Sequence, residues 1–206
     1  MKKIFNFSLL LLVFALFSGC SLHSSFQTES RSSFFIPEKS VEYTDKLHTS
    51  APWNLELYES AYRQAQKFPA DVQEEVKGAI IPHHLISTPA IARVFETLKK
   101  QDPSVIVLIG PNHFDQGAEH ILSTVLDWNT LYGKHKTDAQ LVEKLYERGV
   151  VGIDATAFDE EHSMYSLIPF FATSTPNTPV VPIILKESAT AEELDKLIEA
   201  LKKEIP

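Results

Sequence analysis

The sequence predicts a three-layer α/β/α domain built on a central, mostly parallel or mixed sheet. Two observations carry that prediction. The runs Val105-Ile106-Val107-Leu108-Ile109 and Val180 to Leu185 are apolar without interruption, as strands covered on both faces are. Around them, apolar residues recur at helical spacing, so strands alternate with helices.

The elements follow in order from Trp53. Leu57, Ala61, Ala65 and Phe68 share one helical face, and Pro69 ends that helix. Ala79-Ile80-Ile81 reads as a short strand, and Ile91 to Lys100 as the helix that leads to the strand Val105 to Ile109. Ile121 to Val125 read as a strand and Ala139 to Arg148 as a helix. Leu167 to Phe171 read as a short helix, Val180 to Leu185 as a strand, and Ala191 to Lys203 as a closing amphipathic helix. The chain stops at Pro206 straight after that helix, where an α/β sheet normally has another strand to bury. The domain therefore reads as C-terminally incomplete.

The N-terminus has a different character. Lys2 and Lys3 precede an apolar run from Leu9 to Phe17 that is short for a membrane span, and Ser18 and Gly19 are the small residues a signal peptidase needs. Phe17-Ser18-Gly19-Cys20 resembles a bacterial lipobox, with Phe17 in place of the usual aliphatic residue. The expected organisation is a signal peptide over 1–19, a lipid-anchored tether over 20–50 rich in Ser and Thr, and the α/β domain over 51–206. An uncleaved anchor or a plain secretory signal is the other reading of the same run. Phe34, Phe35 and Ile36 leave open a packed N-terminal extension. The expected location is the extracytoplasmic face of the cell membrane, held by several acyl chains at Cys20.

Cys20 is the only cysteine, so its modification leaves no thiol for disulfides or thiolate chemistry. Losing Lys2 and Lys3 leaves 17 basic residues against 27 acidic ones, a mature charge of −10. That balance disfavours nucleic acid as a partner, and none is expected. An unidentified small molecule or protein is the expected ligand.

Three of the eight histidines stand out by position. His83 follows Ala79-Ile80-Ile81, His113 follows the strand Val105 to Ile109, and His162 precedes the apolar helix near Leu167. Ligands of open α/β sheets bind beyond the carboxyl ends of strands, so His83 and His113 are placed to converge. Each has an alternative as a loop or hydrogen-bonded core residue. His84, next to His83, points to the opposite side in extended chain. His120, His135, His23 and His48 read as surface or tether residues. Asp159, Glu160 and Glu161 are expected to favour protonated His162, and Ser163 to cap the helix that follows.

These segments together resemble the Memo-like family, also named AmmeMemoRadiSam system protein B, which is related to the LigB-type class III extradiol dioxygenases. The resemblance covers about Lys77 to Leu185. Ile81-Pro82-His83 matches the family's Ala-Pro-His, and Gly110-Pro111-Asn112-His113 matches Gly-Pro-Ser-His. Thr130-Leu131-Tyr132-Gly133, behind Trp128, loosely matches Thr-Pro-Leu-Gly. Glu161-His162-Ser163 with Pro169 matches Glu-His-Ser and its later proline, and Val181-Pro182-Ile183 matches Val-Pro-Ile. The chain departs at His84-Leu85-Ile86, where Ala-Gly-Tyr is usual, and at Tyr165, where Glu is usual. The family's Ser-Asp-x-x-His segment and later cysteine ligand have no counterpart before Pro206.

The resemblance implies an Fe(II) site with His83 and His113 as ligands, and Glu161 or His162 as third ligand or acid/base group. Zinc and copper are the alternative metals. Three functions follow: a non-haem iron oxidoreductase, a non-catalytic binding module for a small molecule or protein, and a zinc-dependent hydrolase.

Overall fold

Strands β3 (Ile106–Pro111) and β8 (Val180–Leu185) run parallel, in register from Ile106 opposite Val180 to Pro111 opposite Leu185. The computed structural model describes residues 9–12, 46–49, 54–67 and 76–205. Cys20, most of the leader and tether, Phe34 to Ile36 and Pro69 lie outside the described residues.

The main sheet has the order β1-β3-β8-β4-β7. Its further strands are β1 (Leu9–Leu12), β4 (Ile121–Ser123) and β7 (Gly152–Ile153). β1 is parallel to β3, so four residues of the predicted leader stand at the sheet's edge. β4 is antiparallel to β8 and parallel to β7, which makes the sheet mixed. Pro182 sits inside this sheet opposite Leu108 and has no amide to donate, but its carbonyl accepts the Ser123 hydroxyl at 2.7 Å.

Alternation along the two central strands produces the three layers. Ile106, Leu108, Val180 and Ile184 face one core, while Val107, Ile109, Val181 and Ile183 face the other. The second core is closed by helices α3 (Ala139–Glu147) and α6 (Ala191–Glu204), through Leu141, Val142 and Leu145 and through Leu197, Ala200 and Leu201. The first is closed by α1 (Leu55–Ala65), α2 (Thr88–Gln101) and α5 (Ile168–Ser174). In α2, Ile91, Ala92, Phe95 and Leu98 fall on one buried face, and in α5 Phe170 and Phe171 pack around Phe95. Burying each such side chain stabilises the fold by roughly 1.5–3 kcal/mol.

Helix ends agree with local chemistry. Asn54 accepts from Glu56 N at 2.9 Å to start α1, and Asp138 accepts from Leu141 N at 3.0 Å to start α3. Thr190 and Glu193 form a reciprocal capping box on α6. Asp102 takes a left-handed conformation, φ 46°, to end α2.

Three features differ from the sequence expectation. Ala79-Ile80-Ile81 joins no strand ladder: Ile81 is buried in the core and Ile80 is 69% exposed, on a segment without regular secondary structure. A second sheet, β2-β5-β6, was not foreseen; it comprises β2 (His48–Thr49), β5 (Trp128–Thr130) and β6 (Gly133–His135). His48, at the end of the expected tether, is buried there with Nε2 2.9 Å from Thr124 Oγ1 and its ring against Trp128. His135, expected on the surface, is also buried, beside Phe171. Among the described residues, no helix is long and apolar enough to cross a membrane.

Candidate metal centre

His113 is placed by the way β3 ends. Asn112 N donates to Leu185 O at 2.7 Å, which carries the β3–β8 pairing one residue beyond the strand. The Asn112 side chain then closes the following turn, accepting from Gln116 N at 3.1 Å and donating to Gln116 O at 2.8 Å. Lys186 Nζ donates to Gly117 O at 2.7 Å and anchors the far side of the loop. His113 is thus held over the carboxyl end of the sheet.

His162 begins helix α4 (His162–Tyr165), which packs on β3. Gly110 allows that approach. A Cβ there would stand 2.7 Å from Met164 Cε and 2.8 Å from Ser163 Oγ, closer than real side chains come. The cap of α4 differs from the one expected. Glu161, not Ser163, accepts from the first turn, with Oε1 2.9 Å from Ser163 N. The Ser163 hydroxyl instead donates to Pro111 O at 3.0 Å.

The extended segment through Ile81 delivers His83 to the same place. Ring centroids are 4.9 Å apart for His83 and His113, 5.2 Å for His83 and His162, and 4.0 Å for His113 and His162. Each histidine offers a ring nitrogen within 4.8 Å of the others, an arrangement that could hold a metal ion. Two nitrogens on one ion stand roughly 3–4 Å apart, close to this spacing. The convergence of His83 and His113 expected from the sequence is present, and His162 joins them.

Hydrogen bonding sets the state of each ring. Fully buried Glu161 takes His113 Nδ1 on Oε1 and His113 N on Oε2, both at 2.7 Å. The Nδ1–H donates to that carboxylate, which turns His113 Nε2 toward the cluster, and that atom is buried without a partner. Both ring nitrogens of His83 are likewise buried without partners. Burial, with the neighbouring His113, His84 and His162, pushes His83 down to about 4, so its ring is neutral at physiological pH. Burial and then His113 also lower His162, although Glu161 pulls the other way. The expected protonated His162 is therefore reversed, because desolvation outweighs the acids. Of those, Glu161 is engaged with His113 and Asp159 faces His48 Nδ1 at 3.4 Å.

A buried, neutral His83 with both nitrogens unsatisfied, beside the unsatisfied Nε2 of His113, is suited to a transition metal. A carboxylate behind a ligand histidine is the usual way such a ring is oriented. Both oxygens of Glu161 accept from His113, an arrangement suited to orienting that ring. The sequence pointed to Glu161 as a group of the site but not to this attachment, since the partner lies 48 residues away.

The model of the family described as Memo-like protein matches residues 52–205. The chain belongs to the Memo-like family. Among relatives of this Memo-like chain, a MEMO1 family protein of Caldivirga maquilingensis is 29% identical over 148 residues, covering 68% of this chain and 51% of that protein. One from Pyrobaculum arsenaticum is 32% identical over 132 residues, covering 61% and 47%. One from Thermotoga maritima is 30% identical over 149 residues, covering 68% and 54%. The chain spans about half the length of the curated relatives it matches.

Proposed function

We propose that this Memo-like chain is an extracytoplasmic lipoprotein whose His83, His113 and His162 hold a transition-metal ion for oxidoreductase-type chemistry, with Fe(II) as the metal. The observation that carries the reading is the set of buried, partnerless nitrogens on His83 and His113, converging with His162. When bound, such an ion supplies Lewis acidity and open coordination positions to a small oxygen-bearing ligand. Glu161 fixes the His113 tautomer and ring plane. His162, lowered by burial and stacked on His113, serves in this reading as a third ligand rather than the proton donor first expected. Phe114, 48% exposed and 6.4 Å from the His162 ring, gives the mouth of the site an apolar wall.

One observation favours a second reading. With Glu161 engaged, the donors offered are all imidazoles, and three histidines with an open position also suit zinc-dependent hydrolysis. Metal analysis after anaerobic purification separates the two. About one iron per chain is expected, lost in His83→Ala, His113→Ala and His162→Ala. Zinc that persists through reconstitution with Fe(II) would replace the oxidoreductase by the hydrolase. A folded protein that takes up neither ion would be the non-catalytic binding module. The anchor is checked by the mass of the mature N-terminus, where Cys20 is expected to carry acyl groups.

A further inference from the structure

His83 is the ligand with the least backbone support. The segment from residue 76 to His83 joins neither sheet, whereas His113 follows a ladder strand and His162 starts a helix on that strand. Something other than a ladder must set the height of His83 against the other two.

Ser166 lies one residue past α4 and is buried. Its hydroxyl donates to His83 O at 2.9 Å, joining the His83 backbone to the helix that carries His162. The same oxygen touches the His162 carbonyl, which already accepts the Ser166 backbone N–H at 3.3 Å. A hydroxyl has one proton to give. That proton is shared between the His162 carbonyl at 2.5 Å and the His83 carbonyl at 2.9 Å, so the hydroxyl bridges the two backbone segments. Ser163, three residues earlier and so on the same helical face, makes a matching bond to Pro111 O, two residues before His113. The α4 turn therefore bonds both neighbouring ligand segments through serine hydroxyls.

We infer that Ser166 is a positioning residue that sets His83 against His162, so that metal affinity depends on a hydroxyl remote from the ion. This rests on the metal reading above. Residues that orient ligands from behind typically change affinity about 10–100-fold when removed.

The test is titration of the metal-free protein with Co²⁺, followed by visible absorption, beside thermal unfolding of the same metal-free samples. Ser166→Ala is expected to weaken Co²⁺ binding at least about tenfold and to alter the absorption band. Ser174→Ala is the control, since Ser174 is also buried but bonds Tyr62 away from the histidines; it is expected to bind Co²⁺ as the parent does. Ser166→Thr, which keeps the hydroxyl, is expected to restore the parent band. Ser166→Cys, similar in size but a weaker donor, carries the test if Ser166→Ala does not fold. Parent-like affinity and band in Ser166→Ala would overturn the inference, as would equal weakening by Ser174→Ala. A parent protein that binds no Co²⁺ would overturn the metal reading itself, and is recognised because the parent is then silent too.

Discussion

Glu161 holds His113 at two points, ring Nδ1 and backbone N–H, each at 2.7 Å. One buried carboxylate thereby fixes where the residue sits and which of its ring nitrogens faces the cluster. With Ser163 N as the third donor, most of the acceptor capacity of the Glu161 carboxylate is spent inside the protein.

Glu161→Gln tests that attachment. The amide keeps one oxygen, so only one of its two ends can accept, and the other meets a donor head-on. Metal affinity is expected to fall about 10–100-fold, with about 1–3 kcal/mol of stability lost from the unsatisfied buried group. Competitive chelator titration and urea unfolding measure the two effects. Parent-like metal affinity in this variant would show that Glu161 does not orient His113.

Buried His135 predicts a pH dependence separate from the site. Burial pushes it down to about 4 in the native protein, with Asp127 only partly opposing, against roughly 6.5 in the unfolded chain. Below about 6.5 the unfolded state takes up a proton that the native state refuses, so stability falls as pH drops from there to about 4. Above about 6.5 neither state is protonated, and the penalty vanishes. The cost of this residue approaches about 3 kcal/mol at the acid end. Urea unfolding at pH 7 and pH 4.5 should show a smaller loss for His135→Phe than for the parent; equal losses would clear His135 as the source.

Gly110→Ala tests the approach of α4 to β3. Its new methyl group would meet Met164 and Ser163 below 3.0 Å, and overpacking of this kind costs about 1–3 kcal/mol. Because Ser163 also holds Pro111, the shift should loosen the cluster. A lower melting temperature together with weaker metal binding is expected. A variant with lowered stability but parent-like metal affinity would show that α4 and His113 move as one.

Much of the fold was legible because its signals were long. Val180 to Leu185 is continuously apolar and is a strand with those bounds, and the buried faces of α2, α3 and α6 repeat at helical spacing. The β5–β6 hairpin was missed because each strand has three residues, too few for a period to show. Ala79-Ile80-Ile81 misled in the opposite way: it is continuously apolar like a buried strand yet has no ladder partner, and pairing is a property of neighbours. His83 and His113 could be picked out from their places beside apolar runs. The burial of His48 and His135 could not, since Trp128, Phe158 and Phe171 come to them from distant parts of the chain.

The missing ladder under His83 also bears on how the site lets go of what it holds. Backbone opening is easiest where few cross-strand amide bonds must break, and hardest in a central strand packed on both faces. His113 hangs from β3, which pairs along its whole length with β8 and is packed on both faces, so amides behind it should exchange more slowly than those of residues 76–83. Opening residues 76–83 breaks no ladder bond in either sheet, but it costs the Ser166 bond to His83 O and the burial of Ile81. Release of a bound ion should therefore begin on the His83 side, with an off-rate set by the breathing of that segment rather than by unfolding of the domain.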